Sequence, residues 1–419
     1  MKGHGNQMSD ARARVRARLP VVGAGYVAAA MSFLNVASYL FTALVARRVV
    51  PSVFGEVTAL MGILLVGSVA ALGLQTTMAR RLAVSREGPD RTQLVGVARR
   101  AGIQIGLGAS AVLLVLSPLL VPVLSLSSWL PGVLVALTLL PLCMFGAQAG
   151  VAQGLGQWGQ LSALYVASGV GRLAFGIAGA LLLPSATGVL LGVMVGACLP
   201  VALGWPVFRE RRPRVDRTSA GHAVTTAQVR WETAHGAHAL LALFAVTNAD
   251  AVLARVVLSE HDSGLYSAGL IITKAALFLP QFVAVVAFPA LARTRDAATR
   301  RIATLIVAGL GAAAALGTWV LPQLALVFAG GDRYSDVQHL LPLFAIEGAV
   351  FALSNLLVFD ALAAESRSVI VLLWLILAGV VATALLAVDS ITGLVLTAMV
   401  AGLCTSMGRL LPRSATDPG

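Results

Sequence analysis

The sequence has few charged residues and almost no lysine. Charged residues make up 11% of the 419-residue chain, and hydrophobic residues make up 58%. Soluble domains carry about 25% charged residues, so this composition excludes a soluble globular protein. Lys2 and Lys274 are the only lysines, and arginine supplies the other basic residues. A lysine inside an apolar stretch of such a chain is therefore conspicuous.

Cysteine and histidine are also scarce. Cys143, Cys198 and Cys404 lie in apolar runs and match neither a disulfide framework nor a metal-binding spacing, which favours small core residues. None of the six histidines lies near the middle of an apolar run. We therefore expect no metal ion and no cofactor.

Long apolar runs dominate what is present. Runs of 18 or more residues recur along the chain, and each can cross about 30 Å of hydrocarbon. The runs are continuous and do not alternate as the strands of a β-barrel do. The sequence thus predicts an all-α polytopic membrane protein with about twelve transmembrane helices. The predicted spans are 20–46, 56–78, 101–123, 129–152, 160–183, 187–208, 236–258, 264–291, 302–328, 338–363, 368–388 and 391–411.

Basic residues indicate the orientation of these spans. With alternating loops, most of the 30 Lys and Arg residues fall on the side of the N terminus, and few fall on the other side. Positive loops face the cytoplasm, so we expect a multi-pass protein of the cell inner (plasma) membrane with both termini cytoplasmic. The first run is too long for a signal peptide, so we expect it to remain as a span. Despite the net charge of +12, no recognition helix, zinc spacing or stacking platform indicates nucleic-acid binding.

The two halves of the chain repeat a helix pair. One copy runs from Ala46 through PSVFG to Gly55, and the other runs from Ala254 through SEHDSG to Gly264, 209 residues later. Six spans per half make the repeat parallel, an arrangement found in transporters that hold substrate between their halves. The predicted organisation is a cytoplasmic basic tail 1–19, an N-terminal six-helix lobe 20–208, a cytoplasmic linker 209–235, a C-terminal six-helix lobe 236–412 and a cytoplasmic tail 413–419.

Two cations lie deep within predicted spans. A charge at the centre of a bilayer costs about 2.5–3.5 kcal/mol on insertion scales, so such residues are functional candidates. Arg172 shares a helix face with Tyr165 and Ser168 at a spacing of i, i+3, i+7, and Lys274 shares one with Gln281. We expect these five residues to line a polar cleft. The alternative is structural pairing of each cation with a carboxylate, for Lys274 with Asp250.

Two acids also lie mid-span. Asp250 and Glu347 could take up a proton or sodium ion that drives transport, or could neutralise the buried cations. Asn248 and Arg255 share a face near Asp250, and we assign them to the same alternatives of ion coupling or charge pairing. Arg255 lies near the predicted outer mouth, where it could also anchor a helix end.

Several stretches resemble the polysaccharide transporter (oligosaccharide flippase) family of the MATE-like MOP flippase superfamily. The opening helix pair closes on Gly73-Leu74 followed by Arg80, and AQGLGQWGQLSAL at 152–164 precedes Gly171-Arg172-Leu173. Asp250 followed by GLYSA at 264–268 resembles the seventh and eighth helices of that family. The resemblance covers about positions 20–295. Some members have fourteen spans, whereas this chain has room for twelve.

The resemblance implies a V-shaped, two-lobed fold that moves an undecaprenyl-diphosphate-linked oligosaccharide from the inner to the outer leaflet by alternating access. The implied partners are this lipid-linked glycan, membrane lipids and a coupling H⁺ or Na⁺. Arginine suits phosphate because its planar fork donates two parallel hydrogen bonds, and lysine adds a point charge. Arg172 and Lys274 are then the cationic part of the cleft.

Two other functions fit the composition. A multidrug or cation antiporter of the same superfamily would be favoured by acidic residues clustered in one lobe. A polytopic glycan ligase or glycosyltransferase would need a sizeable extramembrane loop with paired acids. The longest predicted outer loop is 329–338, with only Asp332 and Asp336. We therefore expect no catalytic residues and no enzymatic activity.

Overall fold

The protein is described here from a computed structural model. It describes the backbone of residues 3–85, 89–209, 224–291, 297–362 and 367–407, and the side chains of 25–85, 91–208, 224–238, 240–277, 304–354 and 369–406. Helices make up nearly all of this described chain, and it contains no strand. The prediction of an all-α polytopic membrane protein is confirmed.

The N-terminal half contains seven helices. Its second predicted span is divided at Ser68, whose hydroxyl donates to Leu65 O at 2.6 Å. A 3₁₀ turn, Trp205–Arg209, follows the last helix of this half. The helices are α1 (Gly3–Arg48), α2 (Pro51–Gly67), α3 (Val69–Val84), α4 (Pro89–Val123), α5 (Leu130–Gly154), α6 (Trp158–Leu182) and α7 (Ala186–Gly204).

The C-terminal half also contains seven helices. The ninth predicted span of the chain, 302–328, is broken at Leu321, where the helix axis bends by 103°. A 3₁₀ segment, Asp332–Leu340, follows the break. The helices are α8 (Thr226–Val257), α9 (Glu260–Leu291), α10 (Ala297–Val320), α11 (Pro322–Ala329), α12 (Leu341–Leu362), α13 (Arg367–Ala387) and α14 (Ile391–Met407).

Each predicted span coincides with a helix or with a broken helix. Within the described residues, nine helices are long and apolar enough to cross a membrane, and the bent pair α10–α11 would make ten. The apolar part of α14, Ile391–Ser406, is shorter. Residues 226–235, which the sequence analysis assigned to a linker, form the first turns of α8, because Thr225 and Gln228 cap its start reciprocally.

Small residues set the spacing of the helices that carry the predicted cleft. Gly171 on α6 and Gly196 on α7 face each other, and a Cβ on either would overlap the carbonyl oxygen of the other. Small residues allow membrane helices to approach closely. This contact places Arg172, the next residue on α6, toward α1 rather than α7, and its guanidinium reaches Ser38 on α1.

The two halves meet at both ends of the helix bundle. We call the end where α1 leads into α2 the distal end; it also holds the α4–α5 connection 124–129 and the α8–α9 connection 258–259. We call the opposite end the basic end; it holds the end of α3, with Arg80 and Arg81, and the start of α8.

Candidate functional site

Arg172 and Lys274 lie in a common interior space between the halves. The Arg172 guanidinium donates to Ser38 Oγ at 3.3 Å. Lys274 on α9 interacts electrostatically with both Arg172 and the carboxylate of Asp250 on α8. Four helices, α1, α6, α8 and α9, therefore bring these groups together from sequence positions more than 200 residues apart.

Arg172 and Lys274 are both half-buried, so each side chain keeps part of its surface accessible. Among the described residues, Arg172 has no carboxylate within ion-pairing distance, and Lys274 has none within 4.0 Å.

Tyr165 and Ser168 lie on α6 within two turns of Arg172. Ser168 is half-buried on the face of Arg172. Tyr165 is buried, and its hydroxyl accepts a hydrogen bond from Gln75 Nε2 at 2.9 Å. The same amide nitrogen donates to Gln153 Oε1 at 3.0 Å. The sequence analysis missed both glutamines, although Gln75 directly follows the Gly73-Leu74 pattern that it used.

The second half of the site contains two buried acids. Tyr266 Oη donates to Asp250 Oδ2 at 3.3 Å, and Thr273 Oγ1 donates to Glu347 Oε2 at 2.9 Å. The two carboxylates interact electrostatically. Glu347 has no exposed surface, and its Oε1 has no hydrogen-bond partner in the described part of the chain. The described residues contain no group of three His, Cys, Asp or Glu side chains arranged to hold a metal.

Tyr266 and Thr273 were also missed by the sequence analysis. They lie on the face of α9 that packs on α12, where Tyr266 meets the ring of Phe344 edge-on at 5.2 Å. Their seven-residue spacing is the signal that could have identified them as one helix face. Each donates a hydrogen bond to one of the two acids, and so orients a carboxylate that lies on a different helix.

The predicted roles of Asn248 and Gln281 stay predictions. Asn248 is half-buried, and its amide donates to Phe244 O at 3.0 Å within its own helix. Gln281 lies outside the described side chains, as does Pro280 beside it. The predicted face shared by Lys274 and Gln281 therefore stays a prediction.

Arg255 closes the distal end. It is 4% exposed, and it donates from Nε to Leu124 O at 2.8 Å and from Nη2 to Ser125 O at 2.7 Å. It also contacts Ser263 Oγ at 3.2 Å and Glu260 at 3.5 Å. The side chain therefore crosses from the C-terminal half to the α4–α5 connection, rather than only anchoring its own helix end.

Further contacts across the distal end involve the last turn of α1. Tyr334 Oη donates to Ala46 O at 2.9 Å, and its ring meets Phe54 edge-on at 6.0 Å. Arg47 donates to Val327 O at 2.6 Å. Glu56 of α2, which is 1% exposed, accepts from the hydroxyl of Ser127 at 3.2 Å. The Glu56 contact lies within the N-terminal half, whereas the contacts of Tyr334, Arg47 and Arg255 hold both halves against one another at this end.

An ion pair joins the halves at the basic end. Arg81 of α3 donates two parallel hydrogen bonds to the carboxylate of Glu232 on α8, one of them from Nε at 2.9 Å. Arg80 approaches the same carboxylate at 3.5 Å. These hydrogen bonds hold the pKa of Glu232 below its usual value of 4.5. Beside it, Gly73 packs directly on Thr233 O.

Comparison with known proteins relates this arrangement to a fold. No protein-family model matches the sequence, and no curated protein matches it. A solved structure described as the inward-facing conformation of a multidrug resistance MATE family transporter of the MOP superfamily is similar at a TM-score of 0.67 and 13% identity, over 91% of this chain and 94% of that one.

Two further structures extend the comparison. Lipid II flippase MurJ in an inward closed conformation has a TM-score of 0.64 and 12% identity, over 92% of this chain and 86% of that one. An outward-facing MATE family transporter has a TM-score of 0.52 and 13% identity, over 92% of this chain and 94% of that one. The chain therefore has the fold shared by MATE transporters and the lipid II flippase.

Proposed function

We propose that this protein is a transporter that flips an undecaprenyl-diphosphate-linked oligosaccharide from the inner to the outer leaflet, as members of the polysaccharide transporter family do. One observation carries the proposal: two cations of opposite halves, Arg172 and Lys274, interact electrostatically with each other. Arg172 has no carboxylate partner within the described residues. An unpaired buried charge is costly, and an anionic ligand removes that cost.

The two cations suit a diphosphate in complementary ways. Arg172 can donate two parallel hydrogen bonds to one phosphate, and Lys274 can attract the other as a point charge. The two side chains repel each other when the cleft has no anion in it. A ligand with two linked negative groups relieves this repulsion, whereas a cationic drug would add to it.

The surroundings of the cations suit a sugar attached to the diphosphate. Ser38 and Ser168 supply hydroxyl groups beside Arg172, and Gln153 presents an exposed amide near Tyr165. Hydroxyls and amides can both donate to and accept from sugar hydroxyls. The buried Arg255 holds the distal end, whereas a partly exposed ion pair holds the basic end, so the substrate would load from the basic end, which is the predicted cytoplasmic side.

Asp250 and Glu347 supply a candidate for coupling to an ion. Asp250 attracts Lys274, which supports charge pairing for this acid. Glu347 keeps one carboxylate oxygen without a partner, which supports uptake of a proton or a sodium ion. We assign Asp250 to positioning Lys274, and Glu347 to H⁺ or Na⁺ coupling.

One observation favours the alternative of a multidrug or cation antiporter. The buried acids Asp250 and Glu347 interact with each other, and both lie in the C-terminal half. A cationic drug would require these acids and would not require Arg172. The two functions therefore differ in which substitutions abolish transport.

Substitution of the two cations tests the proposal. The variants Arg172→Gln and Lys274→Gln are reconstituted in vesicles with a polyprenyl-diphosphate-linked oligosaccharide, and outward movement of the glycan is measured with an impermeant glycosidase. We expect each variant to lose at least tenfold in rate, and Arg48→Gln, which removes an exposed distal arginine, to retain the wild-type rate. Full activity in the double variant would refute the proposal. Loss only with Glu347→Gln, together with drug efflux, would support the antiporter.

A further inference from the structure

The basic end holds a cluster of cations around one carboxylate. Arg80 and Arg81 lie near the end of α3, and the carboxylate of Glu232 on α8 contacts both. Glu232 is the single carboxylate among the side chains that the structure describes at this end. Three more exposed arginines lie on the neighbouring helices, namely Arg99 and Arg100 of α4 and Arg230 of α8. The charge at this junction is therefore strongly positive.

The Glu232 carboxylate occupies a site with the geometry of a phosphate site. Arg81 presents Nε and Nη2 as a fork to its two oxygens, and Arg80 adds a second guanidinium at 3.5 Å. Phosphate accepts the same two parallel bonds from arginine that a carboxylate accepts. A diphosphate carries more negative charge than one carboxylate, so it can engage both guanidinium groups at once.

A head group at the membrane interface can reach this site. The side chains of Arg80 and Arg81 are 68% and 22% exposed, and that of Glu232 is 33% exposed. The ion pair is accordingly in contact with water, and such pairs contribute little net free energy. It is the kind of contact that a competing anion can displace.

Displacement of Glu232 would loosen the contact between the halves. Glu232 lies one residue before Thr233, whose carbonyl packs on Gly73 of α3. Other contacts among the described residues at this end include apolar burial of Val229, a hydrogen bond of 3.2 Å from Arg230 to Gln104, and packing of Ala237 on Gly73. The Arg80–Arg81–Glu232 cluster is thus the charged link between α3 and α8, and we call it the basic latch.

We propose that Arg80 and Arg81 form a first binding site for the diphosphate head group of the lipid substrate, and that the head group replaces Glu232 and opens the basic latch. The inference rests on the proposed function for the identity of the substrate. It adds a site at the membrane surface, separate from the interior cations. Arrival of substrate would then itself free the two halves to move at the basic end.

Binding measurements test the site directly. We compare two probes on protein in phosphatidylcholine nanodiscs: a polyprenyl diphosphate in the bilayer and free pyrophosphate in solution. Glu232→Gln should bind the lipid diphosphate about fivefold more tightly, because an internal competitor worth up to about 1 kcal/mol is removed. Arg81→Gln should bind it at least fivefold more weakly. Arg99→Gln removes a cation at the same end outside the latch and should change affinity less than twofold.

Distance measurements test the opening. Spin labels at Val84→Cys and Ala234→Cys, in a chain without its natural cysteines, report the separation of α3 and α8 beside the latch. Both positions are exposed. The lipid diphosphate should lengthen this distance in the wild type. In Glu232→Gln the distance should be long before ligand is added, and Asp389→Asn, which neutralises an exposed distal acid, should behave as the wild type.

Each outcome decides the inference. A response to the lipid diphosphate, with or without one to free pyrophosphate, supports it. A response to free pyrophosphate alone, or unchanged affinity in both Glu232→Gln and Arg81→Gln, overturns it. Neither measurement requires transport. If Arg172→Gln abolishes flipping while the latch variants bind normally, the latch is wrong and the proposed function stands. If the latch responds but Arg172→Gln and Lys274→Gln flip normally, the proposed function fails instead.

Discussion

Gly55 and Gly264, which occupy equivalent positions in the two halves of the sequence, pack against each other at the distal end. A Cβ on Gly264 would overlap the carbonyl of Pro51, and a Cβ on Gly55 would overlap the hydroxyl of Ser263. The repeat seen in sequence is therefore also a contact in space. The first turns of α2 and α9, one from each half, pack closely at the distal end because neither carries a side chain at its point of approach.

Adding a methyl group at this contact should weaken the closed distal end. We expect Gly264→Ala to destabilise the protein by about 1–3 kcal/mol, the usual cost of overpacking, because backbone rather than a flexible side chain must move. Thermal unfolding followed by size-exclusion chromatography measures the effect. Gly379→Ala adds the same methyl where no atom lies within 4 Å and should leave the melting temperature unchanged. Equal melting temperatures for both variants would contradict the close packing.

Arg255 provides a second test of the same end. Arg255→Lys keeps the charge but loses the planar fork that reaches the carbonyls of Leu124 and Ser125, and each such bond is worth about 1.5–3 kcal/mol. We expect the distal end to open more often. A cysteine introduced at the buried Val57 should then react faster with an impermeant maleimide added from that side.

The exposed distal residue Arg48 supplies the control for this experiment. Arg48→Lys makes an equally conservative change at a side chain that lies on the surface. It should leave the reactivity at Val57→Cys at the wild-type rate. Unchanged reactivity in Arg255→Lys would show that its carbonyl contacts do not hold the distal end closed.

The sequence predicted the helices well because membrane spans leave a strong signal. Each apolar run became a helix, since a chain in lipid must satisfy its backbone hydrogen bonds internally. The signal faded where a helix extends beyond the apolar run, as at the start of α8. There the helix includes Val229, Arg230 and Glu232, which contact the N-terminal half. No hydropathy pattern marks this contact.

The site was only partly predictable. Arg172 and Lys274 stood out because a charge in an apolar run is costly. Gln75, Tyr266 and Thr273 did not stand out, because each is uncharged and becomes relevant only through its partner in space. The role of Arg255 was equally hidden, since the carbonyls that it binds lie about 130 positions away in sequence.

The hydrogen bond between Gln75 and Tyr165 predicts coupled effects of their substitution. Tyr165→Phe removes one acceptor from the Gln75 amide but leaves Gln153, so we expect a loss of about 0.5–1.5 kcal/mol in stability. In combination with Gln75→Leu, the second substitution should cost less than it does alone, with a coupling of at least about 0.5 kcal/mol. Thermal unfolding of the four proteins checks this. Additive losses would mean that the two side chains act independently.

The basic latch should respond to pH in a defined direction. Because the hydrogen bonds from Arg81 hold the pKa of Glu232 below its usual value of 4.5, the carboxylate stays ionised in the folded protein down to more acidic pH than in the unfolded chain. Its contribution to stability is therefore complete above pH 4.5 and is lost as the pH falls through the lowered pKa. The distance between labels at Val84 and Ala234 should be the same at pH 7 and pH 5, and should lengthen only when the pH falls below the lowered pKa.

Salt and a neutral variant separate this effect from general acid unfolding. In Glu232→Gln the distance should already be long at pH 7 and should not change further until the protein unfolds. At an ionic strength of 1 M the Debye length is about 3 Å, so the attraction within the partly exposed ion pair should be screened. The distribution of distances between the two labels in the wild type should then broaden even at pH 7. A wild-type distance that is insensitive to salt and stays constant from pH 7 down to the pH at which the protein unfolds would show that apolar contacts such as Val229 hold α8 on the N-terminal half without the ion pair.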